Sequence, residues 1–343
     1  MITNYTGQHQ DDHAPISNSQ FVGRQRELNL IWNHYHAASN GNAHVVLVSG
    51  EPGIGKTRLL DEVGALATKD GAIVLRGGAS EAEGMPPYLP FLEALGRHIR
   101  LTPLELLRTQ IATAPQELAT LLPELITRLG DLPTSPLLPP EQARFRLYEA
   151  IGAFLAVIAA PHAMVLILDD LQWADTASLD LLCHLTRHQS NAHLFVLGAY
   201  RGSEIERNPV FARTLAELTR QRMLATVAVG PLSVEETGIL AISKLGVSLN
   251  PRVNTLLHAQ SEGNPFFAEE LLDGWIEEGA LVQVQNQWIA VTPLDHALPP
   301  SIVGALRQRF ARLSAESIDH LRVAALIGRT FDLSLLEIGR AHV

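Results

Sequence analysis

The run Gly50-Glu-Pro-Gly-Ile-Gly-Lys-Thr57, continuing into Arg58, carries its glycines, lysine and hydroxyl in the register of a phosphate-binding loop. Each residue type has a physical task there. Gly50, Gly53 and Gly55 open the turn around Ile54, so that backbone N–H groups can converge on a phosphate. Lys56 is spaced to reach the β and γ phosphates of a nucleotide, and Thr57 to ligate magnesium. The competing reading, a glycine-rich loop that binds nothing, requires the flanking strand and helix to be coincidental.

A second acidic signal stands at Val165-Leu-Ile-Leu-Asp-Asp170, an apolar strand that delivers two carboxylates at its C-terminal end. Ligands of parallel sheets gather at that end of the strands. Asp169 is read as a magnesium ligand, directly or through water, and Asp170 as the group that polarises an attacking water, as general base or as orienter. Alone, two adjacent acids could simply cap a surface turn. The fourteen histidines are scattered without acids at metal-ligating spacing, and the single cysteine, Cys183, excludes an internal disulfide and a multi-cysteine zinc site.

The elements that must position these residues are legible around them. Glu27 to Ala38 reads as a helix, Ala43 to Ser49 as a buried strand, and Leu59, Leu60, Val63, Leu66 and Ala67 as one face of a helix opening near Lys56. Ala72 to Arg76 is a second strand, which completes a βαβ unit and requires a parallel sheet. Ser80 to Pro140 reads as a Leu-rich helical insertion ending in a Pro-rich loop, Glu141 to Ala160 as a helix, and Met164 to Leu168 as a third strand. A helix over Ser178 to His188 and strands over His193 to Ala199 and Thr226 to Val229 close the α/β part near Gly230. Ile151 to Leu168 is eighteen uncharged residues, but Pro161 and His162 interrupt it, and a buried helix, a turn and a core strand account for it better than a membrane span.

Beyond Gly230 the pattern changes. Ser233-Val-Glu-Glu236 is a capping-box signature, and helices are expected over Arg252 to Gln260 and Pro265 to Glu278. Leu281 to Val291 reads as a hairpin centred on Gln285-Asn286-Gln287. From Ser301 the chain is read as helical, with Leu306, Phe310, Leu313, Leu321, Ala324, Ala325 and Ile327 at near-helical spacing.

Five ordered runs carry a family resemblance: Phe21-Val-Gly-Arg-Gln-Arg-Glu-Leu28, the phosphate loop, Leu168-Asp-Asp-Leu-Gln-Trp-Ala-Asp175, Gly198-Ala-Tyr-Arg201 and Gly263-Asn-Pro-Phe-Phe-Ala-Glu-Glu-Leu-Leu272. Together they resemble the ATPase module of the large ATP-binding LuxR-type transcriptional regulators. That module belongs to the signal-transduction ATPases with numerous domains (STAND) and to the broader AAA-like, origin-recognition-like group. The resemblance implies that Val22, Gly23 and Arg24 line the adenine side of the nucleotide, mostly through backbone. It implies that Arg201 senses the γ-phosphate and that Pro265 brings a helical lid against the base. Read from the residues alone, Arg201 could be a surface arginine and Pro265 a helix-start residue. Trp173 is read as a packing residue and Asp175 as a helix cap.

The resulting expectation is an α/β P-loop NTPase with a five-stranded, mainly parallel sheet, followed by a helical lid and the start of a winged-helix-like unit. The expected segments are a leader over 1–20, a core over 21–230 with its insertion at 80–140, a lid with hairpin over 231–298, and an incomplete winged-helix-like unit over 299–343. The cofactors are ATP or ADP with Mg2+. With 26 Lys plus Arg against 36 Asp plus Glu, the net charge of −10 argues against a protein that coats nucleic acid or anionic membrane. The first twenty residues hold no Lys or Arg and no long apolar run, so a secretory signal is not expected and a cytoplasmic protein is.

Three functions compete. The first is a nucleotide-gated regulatory switch with slow hydrolysis, in a shortened signalling or transcriptional regulator. The second is an AAA motor or loader with rapid turnover on nucleic acid or protein, and the third a non-hydrolysing nucleotide-binding module. Asp170 stands where many AAA motors carry glutamate, which favours slow turnover. Nucleotide-dependent self-association is open, with Arg207, Arg213, Arg220 and Arg222 as a solvated face or a source of an arginine finger. No membrane partner is expected, nor sequence-specific DNA binding by this chain alone.

Overall fold

A computed structural model describes residues 21–39, 44–82, 84–130, 132, 138–160, 162–188, 193–294, 303–304, 307, 310 and 314–327. The leader over 1–20, the Pro299-Pro300 boundary and most of 299–343 lie outside the described residues. Two compact units divide the chain, the first ending at Leu232 and the second starting at Ser233.

Five apolar runs form the sheet of the first unit: β1 (His44–Ser49), β2 (Ile73–Gly78), β3 (Met164–Asp169), β4 (Leu194–Tyr200) and β5 (Leu224–Ala228). Their order is β2-β3-β4-β1-β5, and every pairing is parallel. Parallel strands are joined by crossover helices that cover both faces, so both faces must be apolar. The strands satisfy this by alternation. Val45 and Leu47 join one core layer while Val46 and Val48 join the other, and Leu166 and Leu168 oppose Val165 and Ile167 in the same way. In β4, the middle strand, every residue is buried.

One layer is made by α1 (Gln25–Ser39) and α2 (Lys56–Lys69), whose Ile31, Tyr35, Leu59, Leu60 and Val63 are fully enclosed or nearly so. The opposite layer holds α3 (Leu89–Leu101), α4 (Leu104–Gln110), α5 (Pro115–Leu121), α6 (Glu124–Leu129), α7 (Pro140–Ala159) and α8 (Thr176–His188). Leu95, Ile99, Leu107, Leu118 and Leu125 carry the expected insertion into the same core as Phe154, Leu155 and Leu182. The eighteen-residue uncharged stretch is the second half of α7 followed by β3. No helix among the described residues is long and apolar enough to cross a membrane.

In the first unit three stretches differ from the sequence expectation: β5 begins at Leu224 and ends at Ala228 instead of spanning Thr226 to Val229, and the other two are β2 and the arginine-rich stretch. β2 starts at Ile73 and extends through Gly77 and Gly78, which pair with Leu168 and Asp169. Glycine weakens a strand locally, and here the ladder to β3 outweighs that preference. The stretch with four arginines contains a helix, α9 (Pro209–Arg220), that composition alone did not announce. Its buried face is Phe211, Thr214 and Leu218, and Arg207, Arg213, Arg220 and Arg222 are all exposed.

In the second unit α10 (Val234–Leu245) opens on a full capping box: Ser233 Oγ accepts from Glu236 N at 3.2 Å and Ser233 N donates to Glu236 Oε2 at 2.9 Å. α11 (Pro251–Ser261) and α12 (Pro265–Glu277) follow, each with proline in its first turn and an asparagine cap. Leu240, Ala241, Leu257, Ala268, Leu272 and Trp275 are buried. A two-stranded antiparallel hairpin joins β6 (Leu281–Val284) to β7 (Gln287–Ala290), so its turn is Gln285-Asn286 and Gln287 already belongs to a strand. A further helix spans Ala315–Ile327. Phe310 and Leu321 are exposed, as is Leu326, which the near-helical apolar set did not include. Leu306 and Leu313 lie outside the described residues.

Candidate functional site

Because all five strands are parallel, β1, β3 and β4 end at one edge of the sheet, and the residues singled out in the sequence follow those ends. Ser49 pairs with Tyr200, and Leu168 with Gly198. The loop after β1 turns into α2 through Gly55, at φ 96°, a left-handed conformation that glycine adopts without steric cost. Gly55 is the N-cap of α2 and offers no side-chain cap, so no capping oxygen competes for the amides of the first turn. First-turn amides and the positive end of the helix dipole point the same way there, which is the physical basis of anion binding at a helix start.

Lys56 is only 7% exposed. Its Nζ donates to the carbonyls of Gly50 and Glu51, each at 3.0 Å, and so folds back on its own loop. Burial lowers its pKa, and the nearby positive charge of Arg201 lowers it further, against the opposing pull of Asp170, Asp169 and Glu51. Ile54 is buried under the turn, Arg58 is half-buried, and Gly53 is exposed at the tip.

Thr57 Oγ1 donates to Asp169 Oδ2 at 2.8 Å, which joins the loop after β1 to the end of β3. Asp169 Oδ1 accepts from the Asp170 amide at 2.9 Å, and Arg76 on β2 places Nη2 3.6 Å from Asp169 Oδ2 while also pairing with Asp61. Burial raises the Asp169 pKa and the Asp170 charge adds to the rise, while Thr57, the Asp170 amide and Arg76 pull it down. A hydroxyl and a carboxylate in contact are the hard-oxygen donors that a magnesium ion takes when it keeps most of its waters, so these residues fit the ion.

Asp170 has left-handed backbone, φ 52°, which turns its side chain away from the line of β3 and into a 3-10 turn over Leu171–Trp173. Its Oδ1 accepts from Gln172 Nε2 at 2.8 Å and lies 3.6 Å from Arg201 Nε. Arg201 also pairs with Glu204 at 3.3 Å. The two charged groups expected at the sheet edge therefore face each other.

Arg24 turns its side chain inward. Its side chain is 7% exposed and donates through Nη2 to the Ile54 carbonyl at 3.2 Å, tying the segment before α1 to the phosphate loop. Both Gly23 and Arg24 have positive φ, 67° and 63°, and Val22 is half-buried beside them. Pro265 opens α12 in the second unit, after the Asn264 cap. Asp175 caps α8, its Oδ1 accepting from Ser178 N at 3.0 Å, and Trp173 is half-buried. Sequence reasoning missed Gln172, Arg76 and the inward side chain of Arg24. Gln172 lay inside the quoted acidic run, yet its partners are fixed by the fold and not by spacing.

A family model described as AAA ATPase domain matches residues 20–197, a span that includes Val22 to Arg24, the phosphate loop and both acids and ends before Arg201. Hybrid signal transduction histidine kinase G of Dictyostelium discoideum is 29% identical over 182 residues, which is 50% of this chain and 5% of that protein. Among solved structures, a DNA replication initiation factor is similar at TM-score 0.41 and 14% identity, over 76% of this chain and 63% of that one. Domain III of the Thermotoga maritima replication initiation protein DnaA is similar at TM-score 0.41 and 13% identity, over 78% and 90% of the two chains.

Proposed function

The chain belongs to the AAA ATPase domain family, and from that premise we propose that it binds ATP with Mg2+, hydrolyses it slowly and acts as a nucleotide-gated regulatory switch of the STAND kind. The observation that carries the reading is the hydrogen bond between Thr57 and Asp169, which joins the two halves of a triphosphate and metal site. In this reading the loop amides and the start of α2 receive the β-phosphate, and Lys56 exchanges its loop carbonyls for phosphate oxygens. Thr57 and Asp169 hold the magnesium ion, which when bound neutralises charge on the phosphoryl oxygens. Asp170 accepts a proton from, or orients, the attacking water, and the Arg201 guanidinium stabilises charge on the γ-phosphate.

Slow turnover is supported by the chemistry around Asp170. An aspartate reaches one methylene less far toward an attacking water than a glutamate does, and Asp170 is faced by the Arg201 guanidinium at 3.6 Å. The signalling setting is supported by the similarity to a hybrid signal transduction histidine kinase of Dictyostelium discoideum, of which this chain spans 5%. A lid role for Pro265, an adenine-side role for Val22, Gly23 and Arg24, and nucleotide-dependent self-association rest on the resemblance and are part of the proposal.

Steady-state phosphate release with and without DNA, together with nucleotide retention after gel filtration, tests the reading. Slow, DNA-independent turnover with retained nucleotide is expected. Rapid turnover stimulated by DNA overturns the switch in favour of a motor or loader, and binding without any hydrolysis leaves a purely structural nucleotide site.

A further inference from the structure

Gln172 is 2% exposed, and both the nitrogen and the oxygen of its side-chain amide are hydrogen-bonded. Nε2 donates to Asp170 Oδ1 at 2.8 Å, and Oε1 accepts from the Arg201 backbone N–H at 3.1 Å. That orientation is dictated by the partners: a carboxylate can only accept and a backbone N–H can only donate, so only one placement of the amide satisfies both. Glutamine offers a donor and an acceptor from one planar group without having to change its protonation state.

The turn that carries Gln172 is itself fixed from two sides. Its carbonyl accepts from Asn208 Nδ2 at 3.1 Å, and the same Asn208 nitrogen donates to Ala174 O at 3.2 Å. Asn208 Oδ1 caps α9 by accepting from Phe211 N at 3.0 Å. On the other side Leu171 occupies space that only glycine leaves on β4, because a Cβ on Gly198 would lie 2.6 Å from Leu171 Cδ1 and 2.5 Å from Leu47 Cδ2. The bracket is therefore anchored to β4 and to α9, and its side chain spans the gap between the ends of β3 and β4.

We propose that Gln172 is a positioning residue that holds the Asp170 carboxylate and the Arg201 segment in one fixed geometry, so that water activation and γ-phosphate contact occur together. The inference rests on the roles given to Asp170 and Arg201 in the proposed function. Gln172 is buried behind the two residues it joins and acts through them. Loss of the bracket lets Asp170 and Arg201 orient independently, which penalises the chemical step and leaves the phosphate loop intact.

The test uses the full 343-residue chain and two variants. Gln172→Met keeps length and burial but provides neither hydrogen bond. Its kcat for ATP hydrolysis is expected to fall by about tenfold or more, while KM and ADP affinity stay within about twofold of wild type. Gln172→Glu gives a readout that a merely structural role would not move. A protonated glutamic acid has both a donor and an acceptor, as glutamine does, whereas an ionised one sets carboxylate against carboxylate. Its kcat relative to wild type is therefore expected to recover as pH falls, with no such recovery in Gln172→Met. Wild-type kcat in Gln172→Met, or a Gln172→Glu pH profile parallel to wild type, overturns the inference alone. So does a parallel loss of kcat, ADP affinity and melting temperature. A wild-type chain that neither binds nor hydrolyses nucleotide overturns the proposed function and this inference with it.

Discussion

Thr57 Oγ1 and Asp169 Oδ2 stand 2.8 Å apart although they are separated by 112 positions in the chain. The contact places a largely buried carboxylate, 14% exposed, whose pKa is raised mainly by desolvation, against a hydroxyl that only partly compensates it. The sign follows for stability. An acid with a folded-state pKa above its unfolded value carries no penalty at low pH, and the penalty grows as pH rises from the unfolded value through the folded one. Above that window the ionised Asp169 costs the nucleotide-free fold stability. Asp169→Asn should therefore raise the melting temperature of the nucleotide-free protein at neutral pH and weaken Mg2+-dependent ATP binding. Differential scanning fluorimetry with and without Mg2+-ATP checks both; a lower melting temperature without ligand contradicts the first.

Lys56 is held by two loop carbonyls and not by the core, so its removal should spare the fold. Lys56→Ala is expected to weaken triphosphate binding by at least about tenfold, the value of a lost charge-assisted hydrogen bond. Calorimetric titration measures this, and unchanged affinity would place the phosphates elsewhere.

What was legible in the sequence is what is local along the chain. The glycines, Lys56 and Thr57 share one short run, and the five apolar residues Met164 to Leu168 before Asp169 announce both a strand and its acidic end. The capping box at Ser233 and Glu236 is equally local and is fully formed. What was not legible depends on partners distant in sequence. Arg76 meets Asp169 because β2 runs beside β3, with Gly78 opposite Asp169. Gln172 meets the Arg201 amide because β4 lies next to β3, and Arg24 meets Ile54 because α1 packs beside α2. α9 escaped notice because its buried face has only Phe211, Thr214 and Leu218, one of them polar, among exposed arginines.

The hairpin of the second unit contains a correctable local strain. Gln285 and Asn286 have φ 46° and 65°, the pair of left-handed residues that a two-residue turn of type I′ needs. Glutamine is poorly suited to that conformation, whereas asparagine tolerates it and glycine adopts it freely. Replacing the pair by Asn-Gly, as Gln285→Asn with Asn286→Gly, is expected to stabilise the unit by about 0.5–1 kcal/mol. Urea unfolding followed by Trp288 and Trp275 fluorescence reads the change, and a lower midpoint would count against the turn geometry.

Asp170 gives the sharpest separation of binding from chemistry. Asp170→Asn retains an oxygen for the Gln172 amide, and asparagine, like aspartate, tolerates the left-handed backbone at φ 52°. The substitution thus preserves the turn while removing the carboxylate that would take or orient a proton. The phosphate loop, Thr57 and Asp169 are untouched, so ATP affinity should stay within about threefold of wild type, whereas hydrolysis should fall by about 100-fold or more. Asp170→Ala is the control for the backbone: it removes the carboxylate and also introduces a residue unsuited to positive φ, and it should lose thermal stability as well as turnover. Single-turnover phosphate release after rapid mixing with excess protein isolates the chemical step from product release. Wild-type single-turnover rates in Asp170→Asn would move the water-activating role to another carboxylate at the sheet edge, of which Glu93, accepting from Gly78 N at 2.8 Å, is the first to test.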